Sequence, residues 1–365
     1  MMDGISPFGR PARMSCVVCI RRMILYALLV IPIVPHAQIA TPEQVHPSTG
    51  TFEELRKAST DVAQTVGEHL DEGHDWIYRR IERWIERVDI RFAGPEDERV
   101  VVPLSPFRIG FDTEFLHRSD GLAVLATPDF EAWLRLPNIE RRLKVFVTTT
   151  DVAESPADPT LEHNPVQLGM QFTPLSHVNF EAGVQAKLWP AAFAALKWTP
   201  TFDAGALKVY PFAKAYVETG LGIGVSGGLT IEHWSGRWIM RSASYADWVR
   251  NTTYTDWTQT FIAGYVPAVI HQGRYGFVAD GRDIACGVAL RLSVSGDRAS
   301  RTSLYEDGVI MKRPLHGGWL FGYVEPIVRW DRNYDWHPDL GIRAGFDALF
   351  WGLASRPDEL ATYCR

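Results

Sequence analysis

The stretch LGIGVSGGLTI at positions 221–231 decides the fold. Leucine, isoleucine or valine stands at positions 221, 223, 225, 229 and 231, and every even position between them holds glycine, serine or threonine. In a β-strand, successive side chains point to opposite faces. One face of this segment is therefore apolar, and the other carries only residues too small to crowd an enclosed space. The pattern predicts a strand whose small, polar face lines the inside of a barrel.

The same period of two recurs from residue 107 onwards. Residues 107–115 alternate apolar with charged or glycine positions, and residues 166–173 alternate apolar positions with glutamine, glycine and threonine. We count fourteen such segments up to residue 350. The segments 192–201, 253–271 and 303–313 keep the alternation less strictly, so the predicted number is about 12 to 14 strands. A soluble β-sandwich also alternates, and the period alone does not separate the two architectures.

The positions of the tryptophans favour a barrel in a membrane. The chain has thirteen tryptophans. Membrane barrels place aromatic side chains at both membrane–water interfaces, which are the ends of the strands. Those that stand near the ends of predicted strands are Trp189, Trp198, Trp234, Trp238, Trp248, Trp330 and Trp351. We therefore predict an all-β transmembrane barrel, antiparallel and up-and-down, over residues 107–350.

The N-terminal forty residues have the pattern of an export signal. Four arginines precede an apolar run at residues 23–34, and Ala37 or Ala40 offers a small residue at a cleavage point. The run is shorter than the roughly 20 residues that a membrane-spanning helix needs. We expect residues 1–40 to be a signal peptide and residues 41–51, which contain two prolines, to be a linker.

The charge of the exported chain excludes one class of partner. The whole chain carries 37 basic and 43 acidic residues, a formal charge of −6, and loss of the four arginines and one aspartate of residues 1–40 changes this to −9. Nucleic-acid binding depends on Lys and Arg neutralising phosphates. We expect no nucleic-acid partner, and nothing in the sequence indicates a cofactor or a metal site.

Residues 52–92 predict an amphipathic α-helix on the periplasmic side of the barrel. Apolar residues recur there at spacings of three and four, with arginine and glutamate between them. Such a helix could plug the barrel, bind a periplasmic partner, lie on the inner leaflet, or pack under its own barrel. Residues 93–106, rich in charge and proline, are predicted to be a second linker. An even strand count brings both ends of the barrel to the periplasm, which suits a helix before the first strand.

Taken together, residues 107–350 resemble a bacterial outer-membrane β-barrel protein, with no particular subfamily indicated. The last predicted strand, with apolar residues at alternate positions 342–350, is similar to the closing strand of such proteins, and a tail of residues 351–365 follows it. The resemblance implies the outer membrane of a Gram-negative bacterium. It also implies contact with outer-membrane lipid and lipopolysaccharide, and insertion by the outer-membrane assembly machinery.

The inward face of the predicted strands carries charges of both signs. Mixed signs favour salt bridges across a narrow lumen, whereas a ring of one sign would set an ion preference. The lysines at 187, 197, 208 and 214 are the candidate for an anion-favouring wall. Our candidate lumen or solute residues are Arg108, Asp112, Glu114, Glu131, Arg135, Lys187, Lys197, Lys208, Lys214 and Arg343. The same face is predicted to hold Asp129, Arg142, Lys144, Glu218, Arg329 and Asp347.

These features predict a narrow pore, a solute-binding barrel, or a structural or assembly component of the envelope. One alternative is a lipid hydrolase, because His233 and Ser235 have the spacing of the base and nucleophile in outer-membrane phospholipases. Gly236 replaces the Asn that follows the Ser in those enzymes, and we do not expect an enzyme. The other alternative is a soluble exported β-protein.

The four cysteines are not predicted to form a functional site. Cys16 and Cys19 form a C-x-x-C within the predicted signal peptide, without the second pair of ligands that a zinc site needs. Cys286 lies in a predicted strand and Cys364 in the tail, so a bond between them would require the tail to fold back. We expect a packed free thiol at Cys286.

Overall fold

The structure is a computed structural model that describes residues 65–83, 87, 107–118, 121–135, 143–149, 166–186, 190–250, 255–269, 283–297, 301–350 and 364. Within these residues the chain forms one α-helix, α1, at residues 65–83, and fifteen β-strands. The strands are β1 (Phe107–Arg118), β2 (Gly121–Arg135), β3 (Leu143–Thr148), β4 (Val166–Leu175), β5 (Val178–Ala186), β6 (Ala191–Trp198), β7 (Phe202–Ala204), β8 (Leu207–Glu218), β9 (Gly222–Ser235), β10 (Trp238–Val249), β11 (Thr255–Val269), β12 (Ile284–Asp297), β13 (Arg301–His316), β14 (Leu320–Asp331) and β15 (Pro338–Phe350).

The strands close into an antiparallel barrel. β1 pairs with β15, with Phe107 opposite Phe350 and His117 opposite Leu340. The other strands pair with their chain neighbours, except that β6 and the three-residue β7 both pair with β8, one beyond the other. β6 and β7 therefore occupy one position in the wall, and the described strands fill fourteen positions. The predicted barrel is confirmed, at the upper end of the predicted strand count.

The two faces of the wall differ in polarity. The outward face carries large exposed apolar side chains on nearly every strand, such as Phe115, Leu168, Phe261 and Val288. The inward face carries the buried charged, amide and hydroxyl groups. A barrel that is apolar outside and polar inside spans a membrane, and the soluble alternative, whose apolar faces would meet each other, does not describe it. Among the described residues, no helix has the length and apolar character needed to cross a membrane.

Tryptophans mark both edges of the outward face. Trp198 and Trp238 lie at the end of the barrel where β1 begins and β15 ends, which we call the terminal end. Trp248 and Trp330 lie at the opposite end. Trp234 differs from the prediction, because its side chain packs inside the barrel with Ile239 and neighbouring apolar residues.

The glycine-rich segment at residues 221–231 lies mainly in β9. Its inward glycines leave space for aromatic rings. The ring of Tyr216 lies across Gly224 and that of Phe212 lies across Gly228, both from the adjacent β8. A Cβ atom added to Gly228 would stand 2.4 Å from Cε1 of Phe212. The small inward residues thus relieve crowding, as predicted, and the crowding comes from the neighbouring strand.

Helix α1 confirms the predicted amphipathic helix over the residues that the structure describes. It packs at the terminal end of the barrel, where Tyr78 joins a buried cluster with Phe107, Ala132 and Phe350. These three barrel residues stand at the alternate strand positions whose side chains point outward. The helix therefore lies against the outside of the wall, so it neither plugs the lumen nor sits beneath the barrel mouth.

The prediction of a free thiol at Cys286 is wrong. Cys286 and Cys364 form a disulfide with a Cα–Cα distance of 5.8 Å. Cys364 packs among buried residues that include Phe321 and Leu349 of the inner wall at the terminal end. A cysteine in the tail has no strand periodicity to predict its position, so the sequence alone could not show that it returns to β12.

The remaining segment predictions fall outside the described residues. They are the signal peptide at residues 1–40, the linkers at 41–51 and 93–106, both ends of the helix predicted for 52–92, and the tail at 351–365 apart from Cys364. They stay predictions.

The aromatic–glycine packing between β8 and β9 generates a stability prediction. We expect Gly228→Ala to destabilise the barrel by about 1–3 kcal/mol, the usual range for overpacking, because its methyl group would displace the Phe212 ring. The measurement is the folded fraction against urea in vesicles, followed by the shift in gel mobility on heating. Gly227→Ala is the matched control, since its added Cβ would meet only ordinary contact at 3.5 Å from the Phe212 carbonyl oxygen. Equal midpoints for the two variants would contradict the packing argument.

Candidate functional site

Six charged side chains form a continuous network on the inner wall, which we call the arginine–glutamate network. They come from five consecutive strands, β12 to β15 and β1, and all of them face the lumen. Its members are Arg291, Glu306, Glu325, Arg329, Arg343 and Glu114.

The register of the strands creates this network. Glu114 stands directly opposite Arg343 across β1 and β15, and Arg343 stands opposite Glu325 across β15 and β14. Glu306 stands opposite Arg329 across β13 and β14. Opposite charges that face each other across neighbouring strands attract. Once the alternation and the pairing are fixed, these ion pairs follow.

Each arginine of the network bonds more than one carboxylate. Arg343 Nη2 lies 2.7 Å from Glu114 Oε2, and Arg343 Nη1 lies 3.0 Å from Glu325 Oε2. Arg329 Nη2 lies 2.9 Å from Glu114 Oε1. Because the fork of a guanidinium offers several donors in one plane, a single arginine can join two strands to its own. The network therefore ties the five strands to one another.

A second charged group lies nearer the terminal end. Arg108 pairs with Asp129 and, at 3.8 Å, with Asp347, which also accepts a hydrogen bond from Lys312. Gly110 stands opposite both aspartates, and a Cβ there would come within 2.9 Å of Asp347 Oδ1. This glycine leaves the space that the carboxylates occupy.

The charges of these two groups balance. The arginine–glutamate network has three arginines and three glutamates, and the second group has two cations and two aspartates. These two groups therefore have no net sign to attract one kind of ion.

The lysines predicted as an anion-favouring wall are not a run of one sign. Lys197 stands opposite Lys214 across β6 and β8, but it forms an ion pair of 2.8 Å with Glu181. The ammonium group of Lys214 lies 4.8 Å from the ring centre of Tyr216. Lys208 stands opposite Asp203 and Glu232. Lys187 lies outside the described residues.

The other predicted lumen residues also face the interior where the structure describes them. Asp112 accepts a hydrogen bond from the Tyr323 hydroxyl, and Glu131 stands opposite Arg108. Lys144 stands opposite Gln171, and Glu218 is buried on β8. The side chain of Arg135 and all of Arg142 lie outside the described residues.

Uncharged polar side chains line much of the rest of the interior, and we call them the amide–hydroxyl wall. All of its members are buried; Gln171 and Thr260, for example, are each only 1% exposed. The wall comprises Gln167, Gln171, Gln185, Ser226, Thr230, Thr258, Thr260 and Ser293. Their low exposure shows that other protein groups cover these side chains.

Several polar atoms of the amide–hydroxyl wall have no hydrogen-bond partner among the residues that the structure describes. A buried polar atom without a partner costs free energy, so such atoms normally bind water or a ligand. These atoms are Gln167 Nε2, Gln171 Oε1, Gln185 Oε1, Ser226 Oγ and Thr230 Oγ1. Donors and acceptors are both among them, and the wall can hydrogen bond a group of either type.

Some lumen residues were missed from the sequence, including half of the arginine–glutamate network. Arg291, Glu306 and Glu325 all lie inward, and so do Glu232 and Arg241, which form an ion pair of 2.7 Å. The signal was present, because each stands at an inward position of its strand. The signal was weakest for Glu306, because its strand β13 also has the apolar Leu304 and Ile310 on the inward face.

His233 and Ser235 lie on the outward face of β9 at the terminal end, and both are exposed. The structure describes both side chains, and no hydrogen bond joins them or binds the imidazole to a carboxylate. A general base must lie within hydrogen-bonding reach of its nucleophile. The structure therefore shows no hydrogen bond that would activate Ser235. Among the described residues, no group of three His, Cys, Asp or Glu side chains could hold a metal ion.

Several solved structures match part of the chain path at low identity. They include Pseudomonas putida OprB at low pH, with 10% identity and a TM-score of 0.40 over 67% of this chain and 93% of that one. Pseudomonas aeruginosa OccK11 has 11% identity and a TM-score of 0.36, covering 67% and 94%. Vibrio cholerae OmpT without its loop L8 has 12% identity and a TM-score of 0.35, covering 67% and 98%.

Likeness at this level concerns the barrel architecture and carries no information on what this chain binds. No protein-family model matches the sequence, and no curated protein matches it. The functional argument therefore rests on the lumen itself.

The arginine–glutamate network generates the second prediction. We expect Glu306→Gln to destabilise the barrel by about 3–5 kcal/mol, because it keeps the shape of the side chain but leaves buried guanidinium groups without their carboxylate. The measurement is the urea midpoint in vesicles. Asp335→Asn is the control: it removes one carboxylate from an exposed turn where the residue has a φ of 54°, a conformation that asparagine also accepts. A urea midpoint for Glu306→Gln equal to that of the control would show that the Glu306 carboxylate does not stabilise the barrel.

Proposed function

We propose that this protein is a narrow outer-membrane channel that binds and passes small, uncharged polar solutes. The observation that carries the proposal is the amide–hydroxyl wall, with its buried polar atoms that lack partners within the described part of the chain. The finer parts of the proposal are that the chain is exported by its signal peptide, inserted by the outer-membrane assembly machinery, and surrounded by lipid and lipopolysaccharide.

The balance of charge supports an uncharged solute. An ion that entered the lumen would leave its water for a wall whose charges already bond one another, so the cost of dehydration would not be recovered. A solute with hydroxyl or amide groups loses weaker hydration, and the unpartnered atoms at Gln171, Gln185 and Thr230 can replace it. The wall therefore favours neutral hydrogen-bonding molecules over ions of the same size.

The close lining of the lumen supports a small solute. In a wide, water-filled pore the lining side chains are exposed to water, whereas here many inward polar side chains of the described strands, including the whole amide–hydroxyl wall, are buried. The bonds between arginines and glutamates of neighbouring strands also hold long side chains against the wall. Passage would therefore proceed by contact between the solute and successive polar side chains.

Uptake by liposomes that contain the purified full chain tests the proposal. We expect a neutral hexose to enter faster than a hexosamine cation or a hexuronate anion of similar size, and planar bilayers to show small conductance with similar permeability for cations and anions. Fastest entry of the hexuronate would instead assign selectivity to the lysines. Absence of flux for all three sugars would overturn the channel.

A matched pair of variants places the solute contact within the lumen. We expect Thr230→Val to reduce hexose entry about fivefold, which corresponds to one lost hydrogen bond of about 1 kcal/mol. Thr113→Val is the control, because it makes the same change on the outward face of β1. Equal hexose entry in the two variants would refute a contact at Thr230.

A further inference from the structure

Helix α1 runs around the outside of the barrel at the terminal end. Asp71, near its start, accepts a hydrogen bond of 2.8 Å from Trp319, just before β14. One turn later, His74 Nε2 donates a hydrogen bond of 3.1 Å to the carbonyl oxygen of Leu349, and its ring stacks on Phe350 at the end of β15. Tyr78 then stacks on Phe107 at the start of β1. The helix thus crosses successive strands and is not aligned along one of them.

The barrel covers only one side of this helix. With about 100° between successive residues, the side chains at positions 67, 74, 78 and 81 share one side. The structure buries or half-buries these positions, together with the neighbouring Ile77, and burial raises the pKa of the Tyr78 hydroxyl to about 12. A helix crossing a membrane-spanning wall leaves its other sides to lipid, headgroups or water.

The flank next to the wall on one side is apolar. Val66 and Leu70 point in nearly the same direction from the helix axis as the half-buried Ile77. Their side chains are 52% and 39% exposed. The flank next to the wall on the other side is charged and carries Asp75 and Glu82. Water on both flanks would leave the apolar one without a partner, whereas a membrane boundary at the level of the helix suits both.

The side that points away from the wall carries residue types that are typical of the level of lipid headgroups. Trp76 is 42% exposed, and the guanidinium of Arg80 lies 5.2 Å from its ring centre. Arg83 and Arg87 follow on the same side, whereas the acidic residues concentrate in the first half of the helix. Tryptophan and arginine are the side chains that settle at the level of lipid headgroups, where the ring stays apolar on one edge and the guanidinium reaches phosphate.

From this geometry we infer that helix α1 lies in the membrane plane as a collar on the barrel, with phospholipid as the partner of its free sides. The acyl chains of the leaflet at the terminal end contact Val66 and Leu70, and the lipid phosphates bind Arg80 and Arg83. Ile77 of the apolar flank packs against outward apolar residues of β1, β2 and β15, so one lipid layer covers the flank and this face of the barrel.

Nitroxide labels test the position of the apolar flank. The full chain, with Cys16→Ser and Cys19→Ser to leave only the disulfide-bonded native cysteines, is labelled at Val66→Cys or Leu70→Cys and folded into vesicles of phosphatidylethanolamine and phosphatidylglycerol. We expect collisions with oxygen, which dissolves in lipid, to exceed those with a water-soluble nickel chelate. Glu82→Cys is the control on the charged flank, where the nickel chelate should collide more often.

Two results at residues 66 and 70 would overturn the inference. Frequent collision with the nickel chelate would mean that the flank faces water. Shielding from both reagents would mean that protein covers it, either a second copy of this chain or a periplasmic partner.

The headgroup contact is tested separately in the same vesicles. Spin-labelled phosphatidylglycerol should be enriched at the wild-type protein over spin-labelled phosphatidylcholine, and this enrichment should fall in the double variant Arg80→Gln/Arg83→Gln. Asp75→Asn serves as the control for a change of charge elsewhere on the helix. Equal enrichment in all three proteins would refute the phosphate contact at these arginines.

Discussion

Everything in this structure depends on the pairing of β1 with β15, which satisfies the backbone hydrogen bonds of the first and last strands. Hydrocarbon offers no partner to a free N–H or C=O group, so a sheet in a membrane must close upon itself. Closure forces the alternate side chains to the two sides of one wall. The polar side becomes a confined interior, and its charges must therefore find partners within it, as Arg343 does with Glu114 and Glu325.

Much of the fold follows from local periodicity, because the period of two at segments such as 221–231 depends only on neighbouring residues and predicts both the strand and its inward face. Strands with weaker alternation, such as β13 with Ile310 inside, form because both neighbouring strands supply backbone partners. The disulfide to Cys364 and the course of α1 along the outer wall could not be predicted, since each depends on contacts between segments distant in sequence.

The lumen was predictable as a class of surface but not as a set of bonds. Parity alone places Arg108, Glu114 and Arg343 inside. It does not show that Arg329 reaches both Glu114 and Glu306, because that depends on the register of β13, β14 and β1. The same limit applies to Lys197, whose charge suggested an anion path until its pairing with Glu181 was known. The pairing of these charges is a property of the closed barrel, not of any one strand.

The collar helix lies across the junction between the first and last strands. His74 stacks on Phe350 of β15, Tyr78 stacks on Phe107 of β1, and these two barrel phenylalanines stack on each other at 4.3 Å. Separating the two strands sideways at this end would break the contact between the two phenylalanines and at least one of their contacts with the helix, together with the backbone ladder. The helix therefore holds β1 and β15 together at the terminal end, where these two strands close the barrel.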